Sequence, residues 1–124
     1  MTEKLSINSQ KIGKQLEIIF VKGILDAHSA PDLEKFVAET IAQGNIYLLF
    51  NLKELDYISS AGLGVFMAFV EDLRNRGGDI KFAELTEKIY SIFELLGFHL
   101  IFDIVPTNDQ AIELFNQKKL RTNE

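Results

Sequence analysis

The run 46-IYLLFNL-52 constrains the fold more than any other stretch of the chain. Six of its seven residues are apolar, and turn signals bound it: Gly44-Asn45 before, Lys53-Glu54 after. A run of this length so bounded predicts a central strand covered on both faces. Upstream, apolar residues alternate at Leu5 and Ile7 and again at Leu16, Ile18 and Phe20, the strand period. QKIGKQ between them predicts a hairpin turn, and the second strand is expected to run to about Val21 and end at Gly23. Residues 28–44 then predict a helix. Ser29 is its N-cap candidate, Pro31 is tolerated in the first turn, and Leu33, Phe36, Val37 and Ile41 form the apolar stripe. Gly44 is the C-cap candidate.

After the central strand, residues 61–75 predict a second helix, ended by 77-GG-78. A strand is expected at 80–84. Thr86 can cap a third helix, EKIYSIFELLG, closed by Gly97. Residues 101–105 predict the last strand. After Pro106, Thr107 or Asn108 can cap a final helix, DQAIELFNQ. The expected order is ββαβαβαβα. Strands alternating with helices predict an α/β fold with a mixed sheet, its later strands parallel through right-handed crossovers. The length of 124 residues fits one domain, 1–124, with a core at about 5–117.

Composition narrows the function. The absence of cysteine excludes disulfides, thiolate nucleophiles and Cys-based zinc sites. A net charge of -5 and no basic cluster beyond KKLR make nucleic acid a poor partner. No apolar run approaches the ~20 residues of a bilayer span, so no membrane insertion is expected. The opening MTEKLSINSQ is polar, and a cytoplasmic location is expected. The ten phenylalanines suit a packed core. No His/Asp/Glu cluster has metal-ligand spacing, and Gly62-x-Gly64 lacks the third glycine of a dinucleotide motif, so neither metal nor cofactor is expected. A Ser60–His28–Asp26 constellation can be drawn. However, Asp26 and His28 lie only two residues apart, a poor separation for a carboxylate meant to orient that imidazole, and no catalytic residue is assigned.

The stretch 55-LDYISSAGLGVF-66 holds the chemistry. Ser60 as N-cap of the second helix is the structural reading. Gly62 and Gly64, each costing about 1 kcal/mol against alanine in a helix, suggest instead that the backbone is left bare for close approach. A helix N-terminus tolerates negative charge, so a phosphate on Ser60 would change the surface without melting the helix. Along that helix Leu63, Phe66, Met67, Val70 and Leu73 are assigned to the core. Val65, Ala68, Phe69 and Asp72 are assigned to an opposite, partner-binding face.

These elements together resemble the STAS domain family, most closely its single-domain bacterial anti-sigma factor antagonists. The resemblance is carried by NLKELDYISSAGLGVF, by 23-GILDAHSAPDLEKFV-37, by the 77-GG-78 turn and by 92-IFELLGFHLIFDIVPTNDQAIELF-115. It implies a cytoplasmic, non-enzymatic phosphoprotein of a partner-switching pathway that regulates transcription. Unphosphorylated, it would bind an anti-sigma factor that is a serine kinase, and so release the sigma factor. Phosphate on Ser60 would weaken that contact, and a PP2C-type phosphatase would reset it. The family's acidic residue before the acceptor is Ser59 here, and its following Ser or Thr is Ala61. Ser59 is therefore the alternative acceptor. The expected partner surface comprises Asp26 of GILD, Ser59, Ser60, Ala61, Gly62, Val65, Ala68, Phe69 and Asp72. A monomer is expected. The rival within the same fold is an adaptor or ligand-binding subunit of a transport or stress-sensing complex, without a phosphorylation switch.

Overall fold

The computed structural model describes residues 4–122. Two strands open the chain, β1 (Ser6–Ile12) and β2 (Leu16–Leu25), followed by α1 (Ala30–Ala42). Next come β3 (Tyr47–Asn51), β4 (Leu55–Ile58), α2 (Ser60–Asn75) and β5 (Asp79–Ala83). The chain continues through α3 (Glu87–Leu95), a 3-10 turn at Phe98–Leu100, β6 (Asp103–Val105) and α4 (Asn108–Thr122). The α/β class and the mixed sheet agree with the sequence reading. The sheet order is β1-β2-β3-β5-β6, with β4 paired to β2 off this path. Among the described residues only β1 runs antiparallel to its neighbour; the other pairings are parallel. The run that opened the argument is β3, at the centre of the sheet and buried at all five positions.

Alternation along the strands feeds two cores. Ile19 and Val21, Leu48 and Phe50, and Ile80 and Phe82 point to the face covered by α1, α2 and α3. Phenylalanines fill this face: the Phe82 ring lies 4.9–5.7 Å from the rings of Phe50, Phe66, Phe93 and Phe102. The other face is smaller. Leu16, Ile18, Tyr47, Leu49 and Ala83 meet Ala111 and Phe115 of α4. Lys81 is buried there, its ammonium 3.3 Å from Asp79, bonded to Asp103 and 5.0 Å from the Phe115 ring centroid. A buried ammonium needs such partners to offset its lost hydration. Burial alone would push the Asp79 carboxyl up. The Arg74 guanidinium, the Ile80 N–H and Lys81 together outweigh burial and hold it below the usual carboxylate range.

Four local expectations are revised. First, β2 runs on to Leu25, because it changes partner midway. Leu16–Phe20 pair with β3, and Gly23–Leu25 pair with β4 across a register shift between Gly23 and Ile24. Gly23 has φ +97°, and a side chain there would strike the carbonyl of Lys4. Second, 55–58 is a strand, absent from the expected order, and short enough to have read as loop. Third, the last strand starts at Asp103; residues 98–100 before it are held in the 3-10 turn. Fourth, Ser29 stands at the N-cap position of α1, but its hydroxyl bonds back to the preceding turn and makes no cap hydrogen bond. Thr86 does cap α3, accepting the Ile89 N–H, and Gly97 closes that helix at φ +77°. Thr107 and Gln110 form a capping box at the start of α4, each side chain accepting the other's backbone N–H.

Candidate functional site

The site is assembled where β2, β4 and the first turn of α2 meet. The partner change in β2 delivers Leu25 beside the end of β4, and the Leu25 carbonyl accepts the Ser59 N–H at 2.9 Å. Ser59, not Ser60, is the N-cap. Its backbone is extended, its Oγ accepts the Gly62 N–H at 3.2 Å, and its carbonyl accepts the Leu63 N–H at 3.0 Å. Ser60 is the first helical residue and is exposed, and no described residue hydrogen-bonds its hydroxyl. The expected cap thus shifts by one residue, because the chain needs Ser59 extended to reach Leu25.

The two glycines divide in the same way. A Cβ on Gly62 would lie 2.7 Å from Leu25 Cγ and 3.0 Å from the Leu25 carbonyl oxygen, so this glycine seats the helix on β2. The approach that Gly62 permits is by the protein's own strand. Gly64 faces open space and is exposed. Seating α2 through Gly62 also fixes its rotation. Gly62, Leu63, Val65, Phe66, Val70 and Leu73 are buried, and Phe69 is half-buried. Val65 is 4% exposed and Met67 42%, so their expected places are exchanged. Gly62 and Val65 therefore contribute no surface, and Phe69 only part of one. Ser60, Ala61, Gly64, Met67, Ala68, Glu71 and Asp72 form the exposed face. Met67 was missed because 63-66-67-70-73 is as regular a helical stripe as the one the fold buries. Tyr57, also exposed at the end of β4, was missed with its strand.

Asp26 lies next to Leu25 in the turn before α1, at the same end of the sheet. Its Oδ1 accepts the N–H groups of His28 and Ser29, each at 3.0 Å, and lies 3.1 Å from Ser29 Oγ. Ser29 Oγ accepts the Asp26 N–H and donates to the Ile24 carbonyl. The Ser29 N–H foremost, with the Ser29 hydroxyl and the His28 N–H, holds the half-buried Asp26 carboxyl below the usual range. This carboxylate grips backbone and not the His28 imidazole, so the drawn Ser–His–Asp relay is not assembled. A surface cleft of about 600 Å³ opens beside this turn, lined by Lys4, Leu5, Ile24, Asp26, His28, Ser29 and Asp32. Among the described residues there is no metal-ligating cluster and no helix long and apolar enough to cross a membrane. The arrangement presents one free hydroxyl at a helix N-terminus, next to an exposed helix face.

Comparison with known proteins supplies the family. Residues 8–111 match the STAS domain. The anti-sigma-B factor antagonist of Bacillus subtilis is 30% identical over 75% of this chain and 84% of its own length. The crystal structure of an anti-sigma factor antagonist from Mycobacterium paratuberculosis superposes with a TM-score of 0.83 at 20% identity, covering 94% of this chain and 99% of that one. The anti-sigma factor antagonist SpoIIAA in its unphosphorylated form superposes with a TM-score of 0.79 at 17% identity, covering 90% and 97%. Its phosphorylated form, described as a Bacillus cell fate determinant, gives 0.69 at 17% identity, covering 87% and 97%. With the matched domain spanning most of its length, the chain belongs to the STAS domain family.

Proposed function

We propose that this protein is a cytoplasmic anti-sigma factor antagonist switched by phosphate on Ser60. The observation that carries the reading is the division of labour between the two serines. Ser59 spends its hydroxyl on the Gly62 N–H, while Ser60 holds an exposed, unengaged hydroxyl one residue on. A kinase needs the second kind. Phosphate at the first helical position lies at the positive end of the α2 dipole, so the fold accommodates it. It adds roughly -1.5 to -2 charges to the surface. Unmodified, the exposed face of α2 that runs from Ser60 through Ala61, Gly64, Met67 and Ala68 to Asp72, with Asp26 near its start, docks on a serine-kinase anti-sigma factor. Modified, the same surface carries bulk and charge that the partner does not accommodate. A PP2C-type phosphatase restores the docking form. The naming of the Bacillus subtilis relative and the existence of SpoIIAA in two phosphorylation states support the reading.

The test is intact-mass spectrometry with site mapping after incubation with ATP and the kinase-type anti-sigma factors of the source genome. One phosphate on Ser60, lost in Ser60→Ala and retained in Ser59→Ala, is expected. Ser60→Asp is expected to weaken partner affinity at least ten-fold, equal to about 1.4 kcal/mol, with an unchanged melting temperature. A folded protein that takes no phosphate from any of these kinases would overturn the switch and favour an adaptor role.

A further inference from the structure

At the amino end of β3, away from Ser60, a second cleft of about 150 Å³ opens between the β1–β2 hairpin, Tyr47 and the later turns of α4. Hydrogen bonds set its frame. The Gln15 carbonyl accepts the N–H groups of both Ile46 and Tyr47 at 3.0 Å, which ties the hairpin to the start of β3. The Tyr47 ring packs edge-on against Phe115 of α4, their centroids 5.5 Å apart. Ile12, Leu16, Ile112 and Phe115 give the cleft an apolar lining that offers water few partners. Tyr47 is 6% exposed, and its hydroxyl has no hydrogen-bond partner among the described residues. Among those residues no side-chain nitrogen or oxygen sealed from solvent lacks a partner, so this hydroxyl reaches the open space of the cleft. Two more polar side chains line it, exposed Lys14 and Asn116, and neither is engaged elsewhere among the described residues. No Asp or Glu lines it.

We propose that this cleft binds a small carboxylate with an apolar body. An apolar cavity of about this size holds one benzene ring. The body of the ligand is therefore limited to a single ring or a short branched chain. The head group follows from the donors. A neutral hydrocarbon would displace water from the Tyr47 hydroxyl and give it no acceptor, which is costly. A carboxylate supplies one, and its second oxygen is left for the Lys14 ammonium or the Asn116 amide. Lys14 is the only charged residue of the lining, so the cleft favours an anion although the protein carries a net charge of -5. Inorganic phosphate suits the charge but not the walls, since it would give up its hydration to four apolar side chains with one lysine in return. So small a ligand binds weakly, with a dissociation constant on the order of 1 mM. None of the lining residues belongs to the Ser60 surface, so the cleft is a separate input to the domain.

Titration of the isotope-labelled full-length chain with benzoate, isocaproate and benzyl alcohol tests the proposal, read by amide chemical shifts at neutral pH and constant ionic strength. At least one of the two carboxylates should saturate in the millimolar range and shift the amides of Gly13, Lys14 and Asn116 most. Benzyl alcohol keeps the ring and lacks the charge, and should bind about five-fold more weakly or worse. Tyr47→Phe keeps the ring against Phe115 and removes only the hydroxyl; Lys14→Gln removes the charge at an exposed position. Each should weaken carboxylate binding about five-fold or more, with an unchanged far-UV circular dichroism spectrum and melting temperature. Ser60→Asp should bind the carboxylate like the parent, so this result is independent of the switch. No saturation by either carboxylate up to about 20 mM overturns the proposal. So does saturable binding that both cleft variants leave unaltered, which would place the ligand elsewhere. Benzyl alcohol bound as tightly as benzoate would overturn the carboxylate assignment.

Discussion

The inner and outer sides of the first turn of α2 use the same residue types for opposite ends. Inside, Ser59 caps the helix and Gly62 lets it press on Leu25. Outside, Ser60 and Gly64 touch nothing of the fold that depends on their identity. The difference teaches that a Ser-Ser-x-Gly-x-Gly string holds two devices in one. One fixes where the turn sits, and the other is free to be changed. Orientation separates them, and residue type does not.

The contrast can be broken by substitution. Gly62→Ala forces a methyl against the Leu25 side chain and carbonyl. Overpacking of that kind should exceed the gain in helix propensity and destabilise the domain by roughly 1–3 kcal/mol in urea unfolding. It should also lower partner binding, since the Ser60 turn is displaced. Ser59→Ala removes the cap and should cost about 1 kcal/mol, whereas Ser60→Ala should leave the unfolding midpoint in place. Gly64→Ala fills open space in a helical backbone and should stabilise by up to about 1 kcal/mol. A Gly64→Ala protein less stable than the parent would mean that the two glycines are not separate devices.

The smallest effect is acid dependence. The folded-state pKa of Asp26 is depressed below its ordinary 3.8, so its hydrogen bonds add stability above that value. That contribution is lost as pH falls from 3.8 through the lower folded pKa. Asp79 behaves in the same direction. Asp26→Asn should flatten only the Asp26 share of the acid limb of a stability–pH curve. An unaltered limb would mean that the turn does not depend on the charge.

These residues also show what a sequence can reveal. The strand at 47–51, the cap at Thr86 and the stops at Gly44 and Gly97 are written locally, in apolar runs and in the backbone freedom of glycine. The family motif likewise falls on the turn from β4 into α2, where Ser60 is exposed. The N-cap, the rotation of α2 and β4 were not legible, because each is decided by contact with β2, some thirty residues upstream. Residues 55–58 bury only Leu55 and Ile58, too little for a period to show. The stripe through Met67 and the stripe through Val65 are equally good helices until Gly62 meets Leu25.

The change of partner along β2 has a practical consequence for anyone building a reporter from this domain. At Gly23 the chain leaves no room for a side chain, with the Lys4 carbonyl on one side and the Gly23 N–H bonded to the Glu54 carbonyl at 3.1 Å. Three segments distant in sequence are stacked there backbone to backbone, one step before the switch turn. A fluorescent fusion placed ahead of residue 4 hangs its load on that stack and transmits any pull through β4 to Ser59. A fusion placed beyond α4, whose Ala111 and Phe115 pack on the opposite face of the sheet, leaves the stack unloaded.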